Sequence, residues 1–514
     1  MRTRNSFLNV VSNCVCYIVL MLSGFIIRKT FAEVLGLECV GIDGRFTDYV
    51  HLITILELNL GMSLVYKLYD PIVKQDWSRI STILRFLRNS YIIISLSIIT
   101  FGLLFSMFAV NSITENISKE WLFRIFFLYL IDITSSYYYY HKRMMIIADQ
   151  YSRVIGITRI CCLIVMSIFQ FFGLKIFKSF ELYLLIKIAS KMSENICISR
   201  IFNKKYNMID LKSKLKLVAE QKKEILKNVK AMLFHKIGGT SLNQISTLIF
   251  GLISLPLSEN GIYCNYMIII LALWGISREF FSGVMASFGN LLNTEKGEKV
   301  EKNLNVIFLI NFFIYSFFCS SFFCVSAPFM KFWITSGNSV FGLSTTIALT
   351  VYLYVYGMRQ SLEMARSSAG IYVQDRYVPL IECLINFVVS YFLAIKIGID
   401  GAIVGNIISF ICTTFITYPF LVYKIILGKN PKDYYKKYCL YTVLTLAESY
   451  LCYYCTNSFT LSSNFLQIIA NFILCLIISN GINIIAFCKT QEFIHMRSLF
   501  SRIFLRFGKI NSSV

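Results

Sequence analysis

"VPLIECLINFVVSYFLAIKIGIDGAIVGNIIS", residues Val378 to Ser409, decides the fold. Two apolar runs flank a short segment that carries Gly398, Gly401 and Gly405. Each run, approximately 377–396 and 401–423, has the length of about 20 residues that an α-helix needs to cross a bilayer. The glycines permit a tight turn and close contact between the two helices. The stretch therefore reads as a hairpin of membrane helices.

Similar runs recur along the chain. About fourteen spans are expected, among them approximately 8–28, 46–66, 121–140, 154–173, 179–199, 231–254 and 344–366. The composition agrees: 56% of the 514 residues are hydrophobic, 15% are charged, and the mean hydropathy is +0.64. Soluble domains carry about 25% charged residues. The run from Leu8 to Ile27 is too long for the apolar core of a cleavable leader and reads as the first span.

The net charge of +22 sorts by loop. With the N terminus inside, Lys and Arg concentrate on one side by roughly four to one, as the positive-inside rule expects of cytoplasmic loops. Arg28 and Lys29 fall among the few outer charges in this sorting. The bias supports an even number of spans with both termini in the cytoplasm, and it accounts for the charge without a nucleic-acid partner. The 16 cysteines, including the Cys452-x-x-Cys455 pair, lie largely in apolar runs and read as small buried hydrophobes.

The expected domains are an N-lobe of six spans over 1–203, a basic linker over 204–230, a second six-span lobe over 231–424, and two more spans with a basic tail over 425–514. In the linker, Leu211, Leu215 and Val218 share one helix face and lysines fill the other, the pattern of an amphipathic helix on the cytoplasmic membrane surface. A short repeat relates the lobes. Gly44-Arg-Phe-Thr-Asp48-Tyr49 opens span two, and Gly261-Ile-Tyr-Cys-Asn265-Tyr266 opens span eight. Equal positions and equal orientation imply a parallel repeat.

Several motifs of catalysis are missing. The chain has no G-x-x-x-x-G-K-[ST] and no H-E-x-x-H, and its four histidines are scattered. These features count against an enzyme and against a His-based metal site.

Charge inside the spans carries the chemistry. Span six holds Lys187, Lys191 and Glu194 at i, i+4 and i+7, one helix face. Span ten repeats the spacing with Arg359, Glu363 and Arg366. Glu57, Asp132, Arg278, Glu279 and Glu448 lie in other spans. A charge at bilayer depth costs at least roughly 2.5–3.5 kcal/mol on insertion scales, so such groups pair with one another or line a wet cavity. Internal pairs would join Lys191 to Glu194, Arg359 to Glu363, and Arg278 to Glu57 or Asp132. In the alternative, Lys187, Lys191, Arg278, Arg359 and Arg366 bind an anionic substrate, and Glu57, Asp132 and Glu363 couple ion movement. The run Ser135 to Tyr140, "SSYYYY", reads as an interfacial aromatic belt.

The chain resembles the bacterial polysaccharide repeat-unit translocases, the Wzx-type flippases of the multidrug/oligosaccharidyl-lipid/polysaccharide exporter superfamily. The residues that carry the resemblance are Arg28, Leu35-Gly36, Gly41, Glu57 to Gly61 and Leu68-Tyr-Asp-Pro71 in the first spans. "MMIIADQYSR" from Met144, "NGIYCNYMIII" from Asn260 and the stretch Val378–Ser409 extend it along the chain. The resemblance implies an all-α, MATE-like fold: two six-helix lobes in a V around a central cavity, plus two C-terminal helices. It implies a bacterial inner-membrane protein that flips polyprenyl-diphosphate-linked oligosaccharides by alternating access, beside a polysaccharide polymerase and chain-length machinery, with no cofactor. A drug exporter of the same superfamily would carry a more acidic cavity. A polymerase or ligase would need a sizeable outer loop, and a scaffold would tolerate loss of the midplane charges. Pro71 is expected to end a helix at Asp70.

Overall fold

The computed structural model describes residues 2–57, 60–211, 244–335 and 339–498. Among them the chain is helical, without strands, and it divides into two compact units, Met1–Cys264 and Asn265–Val514. Most of the expected linker, the first part of span seven and the basic tail lie outside the described residues.

The deciding stretch forms the expected hairpin. Val378–Cys412 runs helically on both sides of a break at Ile397 (φ −132°, ψ 23°) and Gly398 (φ +58°, ψ −133°). The left-handed φ at the tip is one that glycine adopts without steric cost. A Cβ on Gly401 would meet the backbone of Leu393 and Ala394, and one on Gly405 the backbone and hydroxyl of Ser390. That proximity lets polar groups interlock. Asn386 donates to Asn406 (2.6 Å), and Ser390 donates to Asn386 (2.7 Å) and to the Ala402 carbonyl (3.1 Å). Gly405→Val is expected to prevent accumulation of folded protein. Overpacking alone costs about 1–3 kcal/mol, and a backbone neighbour cannot rotate away. Size-exclusion chromatography of a fluorescent fusion checks it.

Where they are described, the other expected spans also fall on helical stretches. In unit 1, α1 and α2 come from the run Arg2–Ile53, broken at Gly36 (φ +85°), and α2 is taken to include the 3-10 turn Thr54–Glu57 and the helix Leu60–Lys74. Then follow α3 (Trp77–Asn111), α4 (Lys119–Thr134, resumed at Tyr140–Ala148), α5 (Ser152–Phe177), α6 (Phe180–Lys205) and α7, described over 244–252. α8 (Leu257–Thr294) crosses from unit 1 into unit 2. Unit 2 continues with α9 (Glu298–Trp333) and α10 (Leu343–Met358, Gln360–Ser368). The two arms of the hairpin are α11 and α12, the latter prolonged to Leu427. α13 (Lys432–Asn457) and α14 (Asn464–Phe487) end the described chain. Among the described residues, six helical runs are long and apolar enough to cross a bilayer: α3, α5, α8, α9, α14 and the combined Val378–Leu427. The protein is a multi-pass membrane protein.

Three sequence expectations change. First, no loop separates Arg28 from Gly44, because helix continues to a tip at Gly36 and back. Arg28 lies eight residues before that glycine and Asp43 seven after, so each is about 11 Å from the tip at 1.5 Å per residue. The two meet as an ion pair at 2.5 Å. Arg28 is thus a helix residue neutralised by its hairpin partner rather than an outer-loop charge. Second, helix continues through Pro71 to Lys74. Proline removes a single backbone bond there, close to the helix end, and Asp70 binds Lys74 (2.8 Å) and Arg79 (3.5 Å). Third, "SSYYYY" forms the break inside α4. Tyr137 is buried, and Tyr140 stacks on Tyr91 with ring centroids 4.3 Å apart. Only the exposed Tyr138 suits a belt.

The start of the second copy, Gly261 to Cys264, packs against the first copy and the helix before it within unit 1. The backbone of Gly261 lies against Leu37 and Gly41, Gly44 faces the Cys264 thiol, and Asn260 donates to the Gly41 carbonyl (2.8 Å). Fully buried Arg45 donates to the carbonyls of Ser112 (3.0 Å) and Leu255 (2.9 Å). The glycines of the motif thus serve close helix approach.

Candidate functional site

The break in α4 builds the site in unit 1. Asp132 lies in the last turn of Lys119–Thr134, where helix carbonyls end without intrahelical partners. Lys187 and Lys191, one turn apart on α6, both reach Asp132 at 3.4 and 3.3 Å. Lys191 also donates to the Asp132 main-chain carbonyl (2.8 Å), a cation at the negative end of a helix dipole. Asp132 is buried, while each lysine keeps about a third of its side chain accessible.

Lys191 therefore takes Asp132 rather than Glu194. Glu194 is held by Arg143 (2.8 Å), which also donates to Asn195 (3.2 Å), and Asn195 donates to Ser136 in the break (3.3 Å). On the other side Lys187 lies over the Tyr129 ring at 5.4 Å, and the Tyr129 hydroxyl donates to Asp43, the partner of Arg28. One polar seam thus runs from Arg28 to Arg143 through the interior of unit 1.

A recess of about 280 Å³ opens on this seam. Its charged lining is Asp132, Arg143, Arg159, Lys187, Lys191 and Glu194. Four cations face two carboxylates, a net of +2. Arg159, exposed on α5, has no carboxylate partner among the described residues. The arrangement suits an anion with several acceptor oxygens, since Arg binds phosphate bidentately and Lys acts as a point charge.

Glu57 sits in the 3-10 turn that interrupts α2 and accepts from the Tyr91 hydroxyl (3.0 Å). It lies outside the recess lining.

In unit 2 the stripe on α10 divides. Arg359 approaches Glu363 at 3.6 Å, as the i, i+4 spacing predicts, and lies over the Tyr356 ring at 5.1 Å. Tyr356 in turn donates to buried Glu382 (3.3 Å). Arg366 is buried, ion-paired to fully buried Asp375, with its guanidinium 4.8 Å from the Tyr418 ring centroid. Arg278 and Glu279 are exposed on α8. The Arg359–Glu363 contact is long and its carboxylate half exposed, and such pairs contribute about 0–1 kcal/mol. Glu363→Gln is therefore expected to leave the thermal midpoint nearly unchanged, within about 2 °C. A transport defect in that variant would then reflect function.

Sequence reasoning missed Asp43, Arg143, Arg159, Asp375 and Glu382. Arg159 had a signal, a cation inside the expected fifth span. Asp43 and Arg143 fall between the expected spans, where a charge carries no signal.

No family model matches this chain, and no curated protein matches it in sequence. Solved structures do share its fold. A lipid II flippase, MurJ, in an inward closed conformation superposes with a TM-score of 0.65 at 15% identity, covering 94% of this chain and 99% of that one. An inward-facing multidrug resistance MATE family transporter gives 0.63 at 13% identity, over 80% of this chain and 96% of that one. A MOP superfamily transporter from Pyrococcus furiosus gives 0.51 at 14% identity, over 80% and 94%. The all-α fold is therefore MATE- and MurJ-like.

Proposed function

We propose that this protein is a transporter of the MOP superfamily that flips polyprenyl-diphosphate-linked oligosaccharide repeat units across the bacterial cytoplasmic membrane for surface polysaccharide assembly. The observation that carries the reading is the net positive recess of unit 1, built from Arg143, Arg159, Lys187 and Lys191. A diphosphate offers the acceptor oxygens those cations suit. A drug exporter for cationic compounds would be served by the opposite charge. The likeness to a lipid II flippase over nearly the full length of both chains supports a lipid-borne cargo.

In this reading the diphosphate displaces Asp132 as partner of Lys187 and Lys191, and Arg159 takes a further oxygen. Arg278, Arg359 and Arg366 are the candidate anion contacts of unit 2. Glu57, Asp132 and Glu363 are the candidates for ion coupling. The polyprenyl tail stays in lipid while the head group changes sides by alternating access.

The test is complementation. A strain lacking its own repeat-unit flippase, supplied with this protein and the matching glycosyltransferases, should regain surface polysaccharide. Lipid-linked repeat units that stay on the cytoplasmic leaflet despite full expression would overturn the reading.

A further inference from the structure

The three helices α9, α13 and α14 share a ladder of small and polar side chains. α14 presents Asn471, Cys475, Ser479 and Asn483, each four residues apart and buried. α13 presents Thr445, Glu448 and Cys452, and α9 presents Ser316, Ser320 and Cys324. Small residues at such spacing allow close helix contact in a bilayer. Close contact does not call for a carboxylate, which is costly at a buried membrane position.

Glu448 is fully buried at the middle of this ladder. Its Oε2 accepts from Ser479 (2.7 Å), and its Oε1 has no hydrogen-bond partner. Ser479 approaches Ser316 at 3.5 Å, Ser316 accepts from the Asn483 amide (2.8 Å), and the Asn483 Oδ1 is again without a partner. Ser320 and Ser449 add a hydroxyl pair at 3.2 Å. Among the described residues no basic side chain pairs with Glu448. The titratable groups around it are Cys319 of α9 and Tyr354 of α10, with Cys452 and Cys475 in the adjoining cysteine cluster.

One hydrogen-bonded set thus contains two orphaned, fully buried acceptor oxygens and several hydroxyls, with no cation of its own. An orphaned buried acceptor carries a desolvation cost that a bound cation removes. We propose that the Glu448–Asn483 cluster is a binding site for a small monovalent cation, a proton or Na+, carried by the C-terminal helix pair. Carboxylate, amide and hydroxyl oxygens are ligands of hard cations, and a proton on Oε1 would give that oxygen a donor role.

The experiment uses the purified full chain in lipid nanodiscs, titrated with NaCl against choline chloride, together with Glu448→Gln and Asn483→Leu. Gln keeps the shape of Glu and an acceptor for Ser479, so that variant should fold. If Na+ is the ligand, Na+ raises the thermal midpoint of the wild type and the shift is lost in both variants. If the proton is the ligand, Na+ has no effect. The infrared band of a protonated carboxyl then disappears as the pH moves from mildly acidic to mildly alkaline, and it is missing from Glu448→Gln. A wild type with neither response, including a carboxyl band that stays constant across that range, overturns the proposal.

Discussion

Asp132→Asn is expected to destabilise the purified protein by roughly 1–3 kcal/mol, less than the loss of one partner of a fully buried ion pair, because each lysine keeps about a third of its side chain accessible. The variant leaves Lys187 and Lys191 facing each other without the carboxylate they share. Thermal unfolding in detergent measures the loss. It does not by itself separate scaffold from cargo site, because instability alone would abolish transport. A second variant makes the separation. Exchanging buried charges for apolar groups of similar volume is often neutral or stabilising, so Asp132→Leu, Lys187→Met and Lys191→Met together should restore much of the midpoint. If the lysines hold a diphosphate, that stable variant should still fail to display surface glycan. Lys187→Ala alone should lower transport about 10–100-fold, since a hydrogen bond to a charged group contributes roughly 1.5–3 kcal/mol. Full glycan display by the triple variant would remove the basis for an anion site.

The same seam marks how far sequence reading reaches. Lys187, Lys191 and Asp132 stand out in the chain because each interrupts an apolar run. Their pairing does not, because it depends on the rotation of α6 against α4 and on the break at Ser135–Tyr139 that exposes the Asp132 carbonyl. Lys191 and Glu194 are sequence neighbours on one face, yet each finds a better-placed partner across the helix interface. Arg28 and Asp43 show the converse failure. A charged pair that neutralises itself across a hairpin looks, residue by residue, like two span ends. The hairpin Val378–Ser409 was legible because its information is local: run length, glycine spacing and a left-handed tip are properties of consecutive residues. Glu448 was visible as a charge in span thirteen. Its hydroxyl surroundings come from three helices and became visible only in the fold.

Asp375→Ala is the second substitution with a large expected effect. Asp375 is fully buried, and Arg366 keeps only 7% of its side chain accessible. The guanidinium is enclosed by Asp375, the Ile371 carbonyl and the rings of Tyr372 and Tyr418. Removing the carboxylate leaves a buried cation with aromatic faces and a carbonyl in its place. The expected loss is about 3–5 kcal/mol, and it should appear as a lowered midpoint with reduced yield. Arg366→Lys should be nearly as damaging, because an ammonium cannot satisfy the carboxylate and stack on two rings with one planar group. These variants also decide the place of Arg366 in transport. A cation that contacts cargo is replaceable in stability but not in flux, whereas a cation that holds the fold lowers both together. Replacing both members of a buried pair by apolar groups of similar volume is often neutral or stabilising, so Arg366→Met with Asp375→Leu should recover the midpoint whichever role Arg366 has. Normal glycan display by that pair would assign Arg366 to the scaffold of unit 2, and absent display from a stable protein would assign it to the cargo path.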